Sequence, residues 1–315
     1  MYYRRLAGEA GPWTADPILR AHRFTNAYRA ADRVSQYLIR EVQYRADRSQ
    51  HPREVFFRTI LFKLFNKIET WEALEAAHGP LSWERTDLGA LDRTLTAVSA
   101  RGATIYSAAY IMPAPALGAE RKHTNHLRLL ARMMEDRLPE RARQAASLQD
   151  VYELLLACPG LGRFLAFQYT IDLNYSSLLD FDEAGFVVAG PGALDGIAKC
   201  FASCGGMDAE GVIYWVAERQ RREFAARGLA FEGLHGRDLQ PIDVQNLFCE
   251  ISKYARVAHP DITGMANRRR IKQGYAPTHR ALPAPFFPPR WGLSPAVPTT
   301  ELPISRRDLL QGRLF

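Results

Sequence analysis

The sequence predicts an all-α fold that ends in an extended, proline-rich C-terminal tail. Apolar residues recur at the three- and four-residue spacing of helices through most of the chain, and glycines and prolines fall between these patterns. At most one small β element is expected, around Phe186 to Ala189. From residue 281 onward, seven prolines fall within 35 residues. These patterns are typical of a bundle-like fold with helices of about 10 to 20 residues.

Length and composition limit the organisation of the chain and its partners. With 315 residues, 47% of them apolar, the chain can form one large or two modest domains. We expect a helical domain over residues 1–280, either as one body or as two lobes, and the tail over 281–315. The formal net charge of +7 favours a polyanionic partner, with an ordinary basic enzyme as the alternative.

The same totals argue against several classes of protein. No uncharged apolar run reaches the ~18 residues of a membrane span, so no membrane partner is expected. The N-terminus lacks the apolar core of a signal peptide, which predicts an intracellular, cytoplasmic protein. The four cysteines have neither zinc-ribbon spacing nor the density of a disulfide framework, so we expect reduced thiols and no metal.

The first half of the chain contains three strong helical patterns. The first spans about 23–47, where Thr25 or Asn26 is the expected N-cap. Its polar residues Asn26, Arg29 and Gln36 share one face, which is either solvated or contacts a base or phosphate. The second begins near residue 51 and has a wide apolar face. The third spans 86–101.

Helices are predicted in the second half as well. One covers about 120–142, and the next is capped by Ser147 with Asp150 in its first turn. Amphipathic helices follow over about 208–229 and 239–260. In the last of these, Glu250 and Lys253 are one turn apart, which predicts an ion pair or, as the functional alternative, a substrate contact.

The central stretch from Ala157 to Cys204 carries the first candidate for chemistry. Cys158-Pro-Gly-Leu-Gly162 separates two helical patterns, as in a helix–hairpin–helix motif. Glycine permits a tight left-handed turn, and the free N–H groups at the start of the next helix can bind a phosphate. We therefore expect Gly160, Gly162 and Arg163 to contact a DNA backbone.

This turn and the acidic residues after it resemble the helix–hairpin–helix DNA glycosylases. In those enzymes the catalytic aspartate follows the hairpin proline by some two dozen residues, and here Asp182 follows Pro159 by 23. The resemblance implies that Asp182 is catalytic, with Asp172 as a further candidate; helix capping or pairing with arginine is the structural alternative. The lysine of bifunctional members would fall near Phe164, so only the monofunctional type is implied.

A second glycine turn lies at Gly190-Pro191-Gly192. It superficially resembles a dinucleotide-binding loop, but the flanking sequence has no βαβ pattern. The sequence also lacks the GxxxxGK[ST] loop of P-loop kinases, and no cofactor is expected. We therefore interpret Gly190 and Gly192 as a second turn that binds a DNA backbone, or as a wall of a base pocket.

Several segments resemble the helical family named for the 5-hydroxymethyluracil DNA kinase helical domain, which includes proposed α-glutamyl/putrescinyl-thymine pyrophosphorylases. These segments lie between residues 24 and 256 and read FTNAYRAADRVSQYL, LFKLFNKIETW, AAYIMP, PGLGRFLAFQYTIDLNYS, AGPGALDGI and VQNLFCEISKYAR. The resemblance implies a glycosylase-like fold that acts on hypermodified thymine in double-stranded DNA.

By this resemblance, the expected reaction replaces pyrophosphate on the base 5-methylene with an amino acid or a polyamine. The base must first flip out of the duplex. The candidate base pocket comprises Asn26, Arg29, Gln36, Tyr169, Glu250 and Lys253. Two alternatives remain open: a monofunctional glycosylase that excises a modified thymine or uracil, and a DNA-binding subunit without catalysis.

Overall fold

The computed structural model describes residues 1–108, 112–276 and 283–293 of the chain. Within these residues the structure is all-α, which confirms the predicted fold class, and β pairing is limited to two isolated bridges. The β element that the sequence allowed near Phe186 to Ala189 does not form. Val187 and Val188 are both buried, and the Ala189 N–H donates to the Glu210 carboxylate at 2.9 Å instead of to a strand.

Thirteen α-helices fall within the described residues. They are α1 (Tyr2–Leu6), α2 (Pro17–Ala21), α3 (Arg33–Tyr37), α4 (Pro52–Phe65), α5 (Ile68–His78), α6 (Leu88–Ala100), α7 (Lys122–Glu135), α8 (Leu138–Gln144), α9 (Leu148–Leu156), α10 (Arg163–Asn174), α11 (Pro191–Cys200), α12 (Ala209–Ala226) and α13 (Pro241–Ala258). Short 3-10 helices occur at Arg29–Ala31, Glu183–Gly185 and Pro289–Trp291, and a π-helix spans Leu38–Gln43. Among the described residues, no helix is long and apolar enough to cross a bilayer.

The chain divides into two compact units. Unit 1 comprises Met1–Asp32 and Phe186–Ala284, and unit 2 comprises Arg33–Gly185 and Pro285–Phe315. The central stretch from Ala157 to Cys204 is therefore divided between the units. The predicted domain boundary at residue 280 stays a prediction. Residues 109–111 of the AAYIMP segment, and residues 281–282 and 294–315 of the predicted tail, lie outside the described residues.

Unit 2 is built around α4 and α10, which are buried on almost every side. The helices α7, α8 and α9 and the π-helix contact this pair. α4 ends where Asn66 takes up a left-handed conformation (φ 48°), a common way for a helix to stop. α9 begins with the predicted cap: the Ser147 side chain accepts from the Asp150 N–H, and Asp150 reciprocates in a capping box.

The first predicted helix requires a correction. It does not begin at Thr25 or Asn26, because the Asn26 side chain accepts a hydrogen bond from the Tyr28 N–H and closes a local turn. The helix begins at Arg33 and becomes a π-helix at Leu38. Segments of π-helix are rare and occur often at functional sites.

Unit 1 is built on a close crossing of α11 and α13. A Cβ on Gly192 would overlap the Cys249 sulfur, and a Cβ on Gly196 would overlap the Phe248 carbonyl oxygen. Glycine at these two positions, one turn apart, lets the two helices approach each other closely. α12 packs against the same helices.

Candidate functional site

Asp182 lies on the loop that follows α10, and its side chain is exposed. One carboxylate oxygen accepts from the Ala184 N–H at 2.9 Å, so Asp182 caps the short Glu183–Gly185 helix. The buried Asn174 amide holds the preceding residue at two points. It donates to the Phe181 carbonyl and accepts from the Phe181 N–H, both at 3.0 Å. The carboxylate is thus solvent-accessible on a backbone fixed from below.

Arg290 fastens the same loop from the C-terminal segment. Its guanidinium donates to the carbonyl oxygens of Ser176 and Leu179 at 3.3 and 3.2 Å, and also to that of Asn174. The Trp291 ring lies edge-on to Tyr175, with centroids 5.6 Å apart. The described part of the tail therefore contributes to the support of the loop that carries Asp182.

Asp172, the second predicted catalytic residue, lies in the core of unit 2 with 0% exposure. It forms an ion pair of 2.9 Å with the Lys63 Nζ, which also donates to the Asn66 amide oxygen at 2.7 Å. Removing either partner would leave a buried charge uncompensated, which is strongly destabilising. The arrangement gives Asp172 a structural role; a catalytic role stays a prediction.

Lys63 was not identified from the sequence. It stands within the apolar run LFKLF of α4, where a charged residue is unexpected. That interruption is the one signal that could have indicated a buried partner. Gln43 extends the network, since its amide donates to the Thr59 hydroxyl at 3.2 Å and to the Asp172 carbonyl at 2.8 Å. The polar core thus joins the π-helix, α4 and α10 beneath the loop.

The first glycine corner, Cys158–Gly162, connects α9 to α10. Gly160 has φ +81°, and a Cβ there would lie 3.2 Å from the Pro115 Cβ. Gly162 is the exposed N-cap of α10, and nothing surrounds the position of a Cβ. Arg163, the first residue of α10, is exposed as well. The geometry leaves the start of α10 open to an anion, although DNA contact by these three residues stays a prediction.

The second corner, Gly190–Gly196, begins α11. Gly190 is the N-cap but is buried, and Gly192 is required by the contact with Cys249. Asp195 is buried and bonded to the Ser252 hydroxyl, the Ala266 N–H (2.6 Å) and the Lys199 Nζ (3.1 Å). Helix packing thus accounts for Gly192. Backbone binding by Gly190 and Gly192 stays a prediction.

The predicted pocket residues of unit 1 form two groups, one near Asn26 and the other on α13, and hydrogen bonds connect the groups. The Asn26 carbonyl accepts from the Asn246 amide at 2.8 Å, and the buried Arg29 donates its N–H to Asp243 at 2.8 Å. Glu250 pairs with Lys253 at 2.6 Å, which confirms the expected ion pair. Glu250 also accepts from the Thr25 N–H at 3.0 Å, beside Asn26.

The remaining two pocket candidates belong to unit 2. The Gln36 amide bonds both the N–H and the carbonyl of Phe286, at 2.8 and 2.9 Å. Tyr169 is buried, and its hydroxyl donates to the Met112 sulfur at 3.3 Å. Both side chains therefore have structural partners, and their roles in base binding stay predictions.

A buried histidine lies in the core of unit 2. The two ring nitrogens of His126 are bonded to the Tyr106 hydroxyl (2.8 Å) and the Pro113 carbonyl (2.9 Å). Burial lowers the pKa of His126 to about 4, against a smaller opposing effect of the hydrogen bond to Pro113. His126 is therefore neutral near pH 7. Among the described residues, no group of three or more side chains is arranged to hold a metal ion.

These features define an all-α protein in which a glycine turn joins two helices, α9 and α10, and the exposed carboxylate of Asp182 follows on the next loop. The chain belongs to the family described as "5-hmdU DNA kinase, helical domain", whose model matches residues 1–264. This match confirms the resemblance predicted from the sequence segments.

One relative is the protein named "5-hmdU DNA kinase" from Bacillus phage SP10, with 25% identity over 275 residues. The match covers 81% of this chain and 42% of the relative, so the chain spans less than half of the relative's length. No solved structure matches the chain.

Proposed function

We propose that this protein modifies DNA at a base derived from 5-hydroxymethyluracil, replacing pyrophosphate on the base 5-methylene with the nitrogen of an amino acid or a polyamine. The observation that carries the proposal is the family match over residues 1–264. The exposed Asp182 on its clamped loop supplies a group suited to this chemistry.

The reaction is a substitution at the 5-methylene carbon. The bond between this carbon and the pyrophosphate oxygen breaks, and the electron pair leaves with pyrophosphate. The carbon becomes electron-deficient, and the amine nitrogen forms the new C–N bond. The Asp182 carboxylate stabilises the developing positive charge and accepts the proton that the amine loses.

DNA binding in this proposal uses the first glycine corner. The exposed N–H groups at the start of α10 donate hydrogen bonds to a phosphate oxygen, and Arg163 adds positive charge beside it. The target base flips out of the duplex to reach the carboxylate, at a cost of a few kcal/mol. The two-point clamp by Asn174 keeps the loop from moving, so the carboxylate is positioned before the base arrives.

The test is mass spectrometry of nucleosides from duplex DNA whose 5-hydroxymethyluracil carries a 5-methylene pyrophosphate. The DNA is incubated with the full chain and with glutamate or putrescine. We expect a new amine adduct with the wild type and at least about a hundredfold less with Asp182→Asn, which retains the capping oxygen. Asp180→Asn, an exposed carboxylate two residues away, is the matched control and should retain activity.

Two outcomes would contradict the proposal. An absence of adduct with either amine would count against transfer, and equal activity of Asp182→Asn and the wild type would remove Asp182 from the chemistry. Abasic sites in the same DNA, lost with Asp182→Asn, would instead identify a glycosylase.

A second candidate is a DNA-holding component without chemistry of its own. The chain spans 42% of the phage relative, which leaves room in that relative for a separate catalytic part. This candidate predicts DNA binding by Asp182→Asn equal to that of the wild type, together with no adduct from either protein.

A further inference from the structure

An exposed basic segment follows α13 in unit 1. Its cations are Arg268, Arg269, Arg270 and Lys272. The sequence contains no acidic residue between Asp261 and Glu301. Among the residues that the structure describes, none of these four cations has a carboxylate within ion-pairing distance. The segment thus concentrates uncompensated positive charge on the surface.

The start of the segment is fixed to the buried cluster beneath it. The Ala266 N–H donates to the Asp195 carboxylate at 2.6 Å. Gly264 passes so close that a Cβ would overlap the same carboxylate. Asp195 is itself held by the Ser252 hydroxyl and the Lys199 ammonium group. The chain therefore enters the basic segment at a defined position.

The end of the segment is also fixed. The Arg23 N–H donates to the Gln273 carbonyl at 3.1 Å, and the Tyr275 N–H donates to the Ala21 carbonyl at 2.9 Å. A segment anchored at both ends loses less conformational entropy on binding than a free tail does. These anchors distinguish the segment from an ordinary solvated charge run.

Arginines on α12 and at its C-terminal end provide a contrast within the same unit. Arg221 pairs with Asp238 at 2.7 Å, and Arg222 and Arg227 both pair with Glu223, at 2.8 and 2.6 Å. These exposed cations are neutralised locally, whereas those of the basic segment are not. The positive net charge of the chain therefore does not explain why the basic segment, unlike these arginines, lacks acidic partners.

Two further features favour an occupant with both anionic and apolar parts. Met265 is 72% exposed between the two contacts that fix Gly264 and Ala266. The Arg256 Nε is buried and has no hydrogen-bond partner among the described residues. Burial and, to a smaller extent, the nearby positive charge of Arg268 lower the pKa of Arg256. An anion bound here would relieve the repulsion between these two arginines.

We propose that residues 265–272 form a nucleic-acid contact, with Arg268, Arg269 and Arg270 on phosphates and Met265 against the sugars or bases. The segment lies beyond residue 264, where the family match ends. The proposal rests on the proposed function only for the choice of DNA as the polyanion. A phosphate backbone flanked by apolar sugar and base surfaces matches the mixture of charge and exposed methionine.

The test compares two triple variants of the full chain that remove the same three charges from the formal net charge of +7. One is Arg268→Gln/Arg269→Gln/Arg270→Gln, and the matched control is Arg221→Gln/Arg222→Gln/Arg227→Gln. Fluorescence anisotropy measures the binding of duplex DNA at several salt concentrations. Thermal melting of each variant establishes that it is folded.

We expect the segment variant to bind about tenfold or more weakly at low salt, with the slope of log K against log salt smaller by about 2 to 3. The control should change the slope by less than about 1. Met265→Ala should weaken binding severalfold without changing the slope, because it removes apolar contact and no charge.

Equal slopes for the two triple variants would overturn the proposal. Loss of binding to anionic lipid vesicles with unchanged DNA binding would also overturn it, because it would assign the segment to a membrane surface. Adduct formation reports separately on the proposed function. A missing adduct with a reduced salt slope therefore rejects that function alone, and a normal adduct with an unchanged slope rejects only the basic segment.

Discussion

The two glycine corners resemble each other in sequence but differ in structure. Their N-cap glycines have almost the same backbone angles: φ −80° and ψ 172° at Gly162, and φ −78° and ψ 165° at Gly190. Gly162 is exposed, whereas Gly190 is buried. In the second corner, Gly192 and Gly196 also touch α13, while a Cβ on Gly162 would meet nothing. A shared glycine pattern therefore hides two physical causes, an accessible helix start and a close helix crossing.

The largest expected effect is at the second corner. Gly196→Ala should lower the free energy of unfolding by more than about 3 kcal/mol, because the new methyl group would overlap the Phe248 carbonyl and force α11 away from α13. Urea denaturation measures the change. Ala198→Gly, at an exposed position of the same helix, is the control and should cost about 1 kcal/mol or less. A tolerated Gly196→Ala would contradict the close crossing.

The second prediction concerns the pH dependence of stability, which we expect to differ between His126 in unit 2 and Asp195 in unit 1. The folded-state pKa of His126 is about 4, below the ordinary value of 6.5, so protonation favours the unfolded chain. Stability that is fully present above pH 6.5 should fall by up to about 3 kcal/mol as the pH drops toward 4. Urea denaturation between pH 7.5 and 4 measures this fall. His126→Gln should flatten it, whereas the exposed His78→Gln should not.

Asp195, behind the second corner, should respond in a lower pH window. Burial acts to raise its pKa, but hydrogen bonds from Ser252, Ala266 and Lys199 outweigh burial, and the net pKa is lowered. The stability that this carboxylate contributes is present above its ordinary value of 3.8 and is lost below it. The two pH windows would not be separate if the fall in stability that His126→Gln removes occurred only below pH 3.8.

A smaller effect is expected at Gly160 in the first corner. Its φ of +81° is unfavourable for any residue with a Cβ, and Pro115 lies close by. Gly160→Ala should therefore cost about 1 to 2 kcal/mol in urea denaturation. A change of less than a few tenths would show that the turn relaxes easily.

The smallest stability effect is expected at Gly162. Because a Cβ there meets open space, Gly162→Ala should cost less than about 1 kcal/mol, as expected for alanine at an N-cap. The added methyl group would still obstruct a phosphate at the start of α10, so DNA affinity should fall severalfold. Unchanged affinity would remove the first corner from the DNA interface and leave both corners purely structural.

The sequence predicted the features that depend on neighbouring residues. The all-α class, helix α6 and the Ser147 cap with Asp150 in the first turn follow from local spacing and are confirmed. The features that sequence reasoning missed depend on distant partners. The π-helix is tied through Gln43 to Thr59 and Asp172, which are 16 and 129 residues away. No local pattern encodes such contacts.

The candidate site also combines features that the sequence predicted with features that depend on distant partners. The position of Asp182 after the first corner was readable as a spacing, but the clamp by Asn174 and the support by Arg290 were not. The reason for glycine at position 192 lies in Cys249, which is remote in the sequence. The sequence shows Lys63 only as a charged residue within an apolar run. Its ion pair could not be predicted, because its partner Asp172 lies on a different helix.

The most direct measurement is the yield of amine-modified nucleoside from pyrophosphorylated duplex DNA, compared among the wild type, Asp182→Asn and Asp180→Asn. An active carboxylate on the clamped loop predicts adduct from the wild type and Asp180→Asn, and almost none from Asp182→Asn. Equal yields from all three proteins would contradict the role of Asp182, and an absence of adduct from the wild type would contradict the transfer reaction itself.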